Sequence, residues 1–172
     1  MELRPDGRAG ATAGRYAPDG HPEIGRWIAD WSGTPDHVDF LAYHTTAGQW
    51  LAFSRVVRPE FVRARGCVIW ERAYEPDGFE EWFRHLDGDV VRVEAMLNRF
   101  VAGDHVTVDD TAEGNAVLRE VADTVAMCWE AALRTACPGR RFDVRVRDTD
   151  DGPVVGFTSA PERGQDGDGP RR

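Results

Sequence analysis

The sequence predicts an α+β fold: a mainly antiparallel sheet of about five strands covered by helices. Three observations predict it. Phe142, Val144 and Val146 alternate with Asp143, Arg145 and Arg147, the period of a strand with one buried face. Val117, Val121, Val125, Cys128, Trp129, Ala132 and Ala136 recur along one helical face, and Cys137-Pro138-Gly139 must end that helix. The strand-like runs are joined by short turn segments, which favours hairpins and hence antiparallel pairing.

In chain order, residues 1–20 set Gly7, Gly10, Gly14 and Gly20 among small and charged residues and read as a disordered arm. The folded domain is expected over 21–159 and a second disordered tail over 160–172. Ile24, Trp27, Ile28 and Trp31 give a short amphipathic helix before Gly33. Residues 38–46 and 49–57 read as two strands joined at Ala47-Gly48. In that register Phe40, Ala42 and His44 share a face with Leu51, Phe53 and Arg55, opposite Leu41, Tyr43, Trp50 and Val56. Residues 67–74 read as a third strand, after a connection that contains Pro59 and Gly66.

Asp77 and Glu80 are the expected cap of a helix whose stripe is Phe79, Trp82, Phe83 and Leu86. Asp87-Gly88-Asp89 interrupts it. Val90, Val93, Leu97, Phe100 and Val101 line the next helix, which stops near Gly103. A short strand is expected at 105–108, and then the longest helix, capped by Asp110 and Glu113. In the last hairpin Val155 and Phe157 stand opposite Val146 and Val144, after a turn at 148–153. There is no internal repeat.

A chain of 172 residues, 41% hydrophobic and 30% charged, can bury a core without disulfides or a structural metal. All 21 basic side chains are Arg, the vocabulary of a GC-rich bacterial genome. Cys67, Cys128 and Cys137 form no C-x-x-C pair, so buried free thiols in a reducing cytoplasm are expected. No segment has the composition of a signal peptide or membrane span.

The net charge of -9 belongs to the middle of the chain, because each tail balances its acids with Arg. Residues 75–94 hold seven acids against Arg84 and Arg92, and residues 104–113 hold four acids and no Arg. Five Arg in 55–72 face Glu60 and Glu71, and four Arg in 140–147 face Asp143. The charge is dipolar. Its net field opposes nucleic acid and anionic membranes, so neither is an expected partner.

Few motifs carry chemistry. Asp148-Thr149-Asp150-Asp151-Gly152 resembles the start of a calcium loop, but its glycine falls one place early and Ser159 stands where the bidentate Glu belongs. Gly7 to Gly14 follows no strand and precedes no Gly-Lys-Ser/Thr, so it is no phosphate loop. The five histidines occupy separate elements without i, i+4 pairs, and His105 with Asp109 and Asp110 reads as a capping turn. Neither a metal nor a cofactor is expected.

His44 is the candidate general acid or base, on one strand face with Arg55 and within reach of Glu71. Tyr43 and Trp50 are the candidate ligand contacts. The functional expectation is a non-catalytic acidic binding or regulatory protein that acts through protein–protein contact, with Glu80, Glu81 and Asp87 meeting a basic partner surface. The alternative is a small-molecule binder or enzyme whose pocket is bordered by Tyr43, His44, Arg55 and Glu71. A nucleic-acid module resting on the Arg of 140–147 comes third.

Overall fold

The computed structural model describes residues 16–160. Residues 1–15 of the expected arm and the tail beyond Ala160 lie outside the described residues. The chain divides into two compact units, up to Trp50 and from Leu51 onward. Among the described residues the elements form an α+β mixture of six α-helices and two small antiparallel sheets.

In the first unit a 3-10 turn at Pro18–Gly20 leads into α1 (Pro22–Ala29), followed by α2 (His37–His44) and the start of α3 (Ala47–Val57). The Asp19 carboxylate accepts from the His37 backbone N–H at 3.2 Å. The two strands expected at 38–46 and 49–57 are helices. Asp36 and Asp39 form a reciprocal capping box that starts α2. Thr46 Oγ1 accepts from Gln49 N–H at 3.3 Å while Gln49 Oε1 accepts from Thr46 N–H at 2.7 Å, and this second box starts α3. Satisfying the first free N–H groups of each helix decides against the hairpin, and Ala47-Gly48 becomes the first turn of α3. Trp27 gathers Trp31, Phe40 and Tyr43 within 5.1–5.7 Å, the apolar centre of this unit.

The second unit begins with a hairpin, β1 (Phe61–Ala64) and β2 (Cys67–Trp70), joined by Arg65-Gly66. Both turn residues have positive φ, 46° and 82°, as the tightest hairpin turn requires. β1 was not expected, and β2 ends at Trp70 because Glu71–Ala73 close into a 3-10 turn. Next come α4 (Pro76–His85), α5 (Val90–Leu97), β3 (Arg99–Val101), α6 (Ala112–Ala136), β4 (Phe142–Thr149) and β5 (Gly152–Ser159). Glu75 rather than Asp77 caps α4, and Thr111 rather than Asp110 caps α6. Phe100 and Val101 leave the expected helix, because α5 stops at Leu97 and β3 begins. Residues 105–108 form no strand.

The expected five-strand sheet is two sheets, β1-β2 and β3-β5-β4. β2 is buried on both faces: Val68 and Trp70 join the core of α6, while Cys67 and Ile69 join a second core with Phe79, Leu86 and Val93. Its outer edge does not pair with β5. Glu94 Oε1 accepts from Val68 N–H at 2.8 Å, Asn98 Oδ1 accepts from Trp70 N–H at 2.8 Å, and Asn98 Nδ2 donates to Val68 O at 2.9 Å. The same two side chains turn to β5, where Glu94 accepts from the Ser159 N–H and hydroxyl and Asn98 Nδ2 reaches Phe157 O at 3.4 Å. Glu94 on α5 and Asn98 at its C-terminal cap lie one turn apart and fully buried, where a shared ladder would otherwise run.

The last hairpin has the expected register, with Val146 opposite Val155 and Val144 opposite Phe157. Its turn tightens to Asp150-Asp151, so the carboxylate run at 148–152 serves the hairpin. α6 covers one face of this sheet with Leu118, Val125, Trp129 and Leu133, a stripe one residue round from the expected Val117 and Val121. Trp129 Nε1 donates to Val56 O at 2.8 Å, which satisfies a polar atom inside the core.

Replacing Asn98 by Ala strands Trp70 N–H and Val68 O and is expected to cost about 2–4 kcal/mol. Urea unfolding measures it, and a loss below about 0.5 kcal/mol would show that water replaces the amide. Burial first, then the Glu94 carboxylate, push the Cys67 thiol up to about 11, against the pull of Arg140. A raised pKa means the folded state holds its proton longer, so this group's stability contribution is complete below pH 9.0 and fades as pH climbs towards about 11. At pH 8 an alkylating reagent is expected to modify partly exposed Cys128 and to spare Cys67 until denaturant is added.

Candidate functional site

Two concave regions of the second unit carry polar side chains. The first is an open cleft of about 550 Å³ floored by Trp70 and Phe100 and bordered by Arg55, Glu60, Glu71 and His105. His105 stacks on Phe100 at 4.8 Å, and the Arg72 guanidinium lies over the Trp70 ring at 5.9 Å. Arg55 is ion-paired with Glu60. Arg55 and Glu71, both singled out from the sequence, therefore border one cleft. The charges around it nearly balance, and among the described residues no hydrogen bond joins His105 to a carboxylate.

His44 belongs to the first unit and does not sit on a strand face. Its Nδ1–H donates to Phe40 O at 2.8 Å, one turn back on α2, and its ring stacks on Phe40 at 4.0 Å. A ring nitrogen bonded to a carbonyl must carry the proton, so the imidazole helps close its own helix. Tyr43 is exposed beside Trp27 and Trp31, and Trp50 is half-exposed.

The acidic stretch 75–94 is largely engaged in the fold. Glu75 and Asp89 cap helices, Glu94 is buried, and Glu80 accepts from Arg65 Nε at 2.8 Å. That bond and the Glu80 charge raise the Arg65 pKa above its ordinary value. Asp87 occupies a turn at φ 55° and stays exposed, as does Glu81.

The second region lies on the sheet face turned away from α6. β3 and β4 flank β5, so Arg99, Gly156 and Arg145 form one row across the three strands. Arg147 stands opposite Val154 in the next row. Neighbouring strands are about 4.8 Å apart, which puts the Arg99 and Arg145 backbones about 10 Å apart across a glycine. A Cβ at Gly156 would stand 3.0 Å from Asn98 O, so a side chain there would crowd the β3 end of the sheet. The bare strip leaves a hollow of about 270 Å³ lined by Met96, Arg99, Asp143, Arg145, Arg147 and Thr158, among others.

Arg145 is held by Asp143 through two bonds of 2.8 and 2.5 Å, and the bonded carboxylate raises its pKa. Among the described residues neither Arg99 nor Arg147 has a carboxylate partner. Arg140, from the same basic run, turns away to Ser159 Oγ at 2.6 Å and Gly66 O at 3.0 Å. Arg145 and Arg147 were visible in the alternation of β4. Arg99 and Gly156 were not, because 90–101 read as one helix. Asn98, a residue that favours helix C-termini, was the available signal.

Among the described residues no group of three or more His, Cys, Asp or Glu is placed to hold a metal ion, and no helix is long and apolar enough to cross a membrane. No family model, curated protein or solved structure matches the chain.

Proposed function

We propose that this is a non-catalytic binding protein that acts through protein–protein contact, and that its contact surface is the arginine-bearing face of the β3-β5-β4 sheet. One observation carries the reading: Arg99 and Arg147, without carboxylate partners among the described residues, stand with Arg145 around the bare strip at Gly156. Guanidinium groups recognise carboxylates through paired N–H donors, so the partner chemistry is acidic. The chain carries a net charge of -9, so its long-range field does not draw anions to this face. Selection then falls to short-range geometry.

This reading reverses the partner charge expected from the sequence. Glu80, Glu81 and Asp87 are the alternative meeting point, for a basic partner, but the use of Glu75, Glu80, Asp89 and Glu94 within the fold supports the sheet face over the acidic stretch. A reducing cytoplasm suits three free cysteines, two of them buried. A second reading, a small-molecule binder, rests on the cleft of Arg55, Glu71 and His105 with its aromatic floor.

The test is titration with a fluorescent peptide of alternating Val and Glu at low ionic strength. The double variant Arg99→Glu/Arg147→Glu is expected to weaken binding about tenfold or more and to leave the melting temperature unchanged, while Glu81→Arg/Asp87→Arg leaves affinity intact. Equal binding by the arginine variant would sink the assignment. A single-stranded oligonucleotide that bound this face more tightly than the peptide would overturn the choice of a protein partner.

A further inference from the structure

β4 is an edge strand, and its alternation separates two functions. The Ala160 N–H donates to Arg141 O at 2.9 Å, which fixes Arg141, and by alternation Asp143, Arg145, Arg147 and Thr149, as the residues whose backbone groups pair with β5. The N–H and C=O of Phe142, Val144, Val146 and Asp148 therefore point away from the sheet. Among the described residues no backbone bond reaches those of Val144 or Val146. The free edge runs along the eight residues of β4, four of which turn their backbone groups outward, and the side chains between them on the face away from α6 are Asp143, Arg145, Arg147 and Thr149.

Resting on the reading of this face as the contact surface, we infer that the partner binds as an extended acidic segment added to the outer edge of β4. An added antiparallel strand continues the pairing already used throughout this sheet. Its ladder-bonded residues pair with Val144 and Val146 and put their side chains on the α6 side, against partly buried valines. The residues between them fall opposite Arg145 and Arg147 in the non-hydrogen-bonded pairs, where side chains approach most closely. The segment that fits alternates apolar residues with polar ones, acidic opposite Arg145 and Arg147 and uncharged opposite Asp143.

A second copy of β4 fits poorly. The antiparallel registers centred on Arg145, on Arg147 or between them set guanidinium against guanidinium, and the one centred on Val144 opposes Arg145 only to an Asp143 already bonded to the Arg145 of its own strand. Edge strands bearing charge resist indiscriminate pairing, and here the same charge selects an acidic strand. Main-chain bonds supply affinity and the alternate side chains supply specificity.

The experiment uses the full chain and three peptides: Val-Glu-Val-Glu-Val-Thr-Val, whose Thr falls opposite Asp143, the same peptide N-methylated on its valines, and the same peptide N-methylated on its glutamates. Methyl groups on the valines block the ladder to β4, whereas those on the glutamates face solvent. The unmodified and glutamate-methylated peptides are expected to bind alike, the valine-methylated one at least tenfold more weakly. On binding, hydrogen exchange at the Val144 and Val146 amides is expected to slow at least tenfold. If all three peptides bind equally and Arg99→Glu/Arg147→Glu weakens each, the face is the contact surface and strand addition is wrong. If no peptide binds, or binding ignores the arginines, both readings fall together.

Discussion

The pair formed by Glu94 and Asn98 sets the architecture of the second unit. A strand with two apolar faces belongs inside a sheet, and β2 has both faces filled, yet its outer neighbour is a helix. Two side chains one turn apart, on α5 and at its C-terminal cap, do the work of a strand edge: they bond Val68 and Trp70 on one side and Phe157 and Ser159 on the other. A buried carboxylate and amide are tolerable only when their bonding is complete, and among the described residues no buried side-chain polar atom is left without a partner. Helix α5, the two cores and the split of the sheet all turn on that requirement.

The features legible in the sequence are those governed by local periodicity. The alternation of β4 gave the hairpin register residue for residue, and the stripe of α6 was found to within one position. Segments 38–46 and 49–57 failed because their apolar content fits either period. What decides them is side-chain capping by Asp36 with Asp39 and Thr46 with Gln49, a four-residue signal easily lost beside longer patterns. The split sheet was hidden for another reason. Nothing in the order of residues says that a Glu on a helix and an Asn at its end will stand in for the ladder between β2 and a strand 59–65 residues further along the chain.

The site shows the same division. Arg145 and Arg147 follow from alternation, but their neighbours Arg99 and Gly156 come from other strands and become neighbours only through the β3-β5-β4 order. Arg55 and Glu71 do border one cleft, although the strand pairing that suggested it is absent, because α3 and the turn after β2 reach the same aromatic floor. Acid content proved a poor guide to surface character. A carboxylate that caps a helix or bridges two strands adds to net charge without offering itself to a partner.

The bridge on α5 also bears on how the chain emerges from a ribosome. β2, with two apolar faces and a bare edge, is the kind of segment that recruits foreign strands when exposed. Glu94 and Asn98 follow it by 26 and 30 residues, whereas Ser159 follows Glu94 by 65. The edge can therefore be closed while β4 and β5 are still unmade, by a short helix rather than a distant strand. Such an order of synthesis covers the bare edge of a strand with two apolar faces and leaves the carboxylate's last acceptor sites open for Ser159 when it arrives.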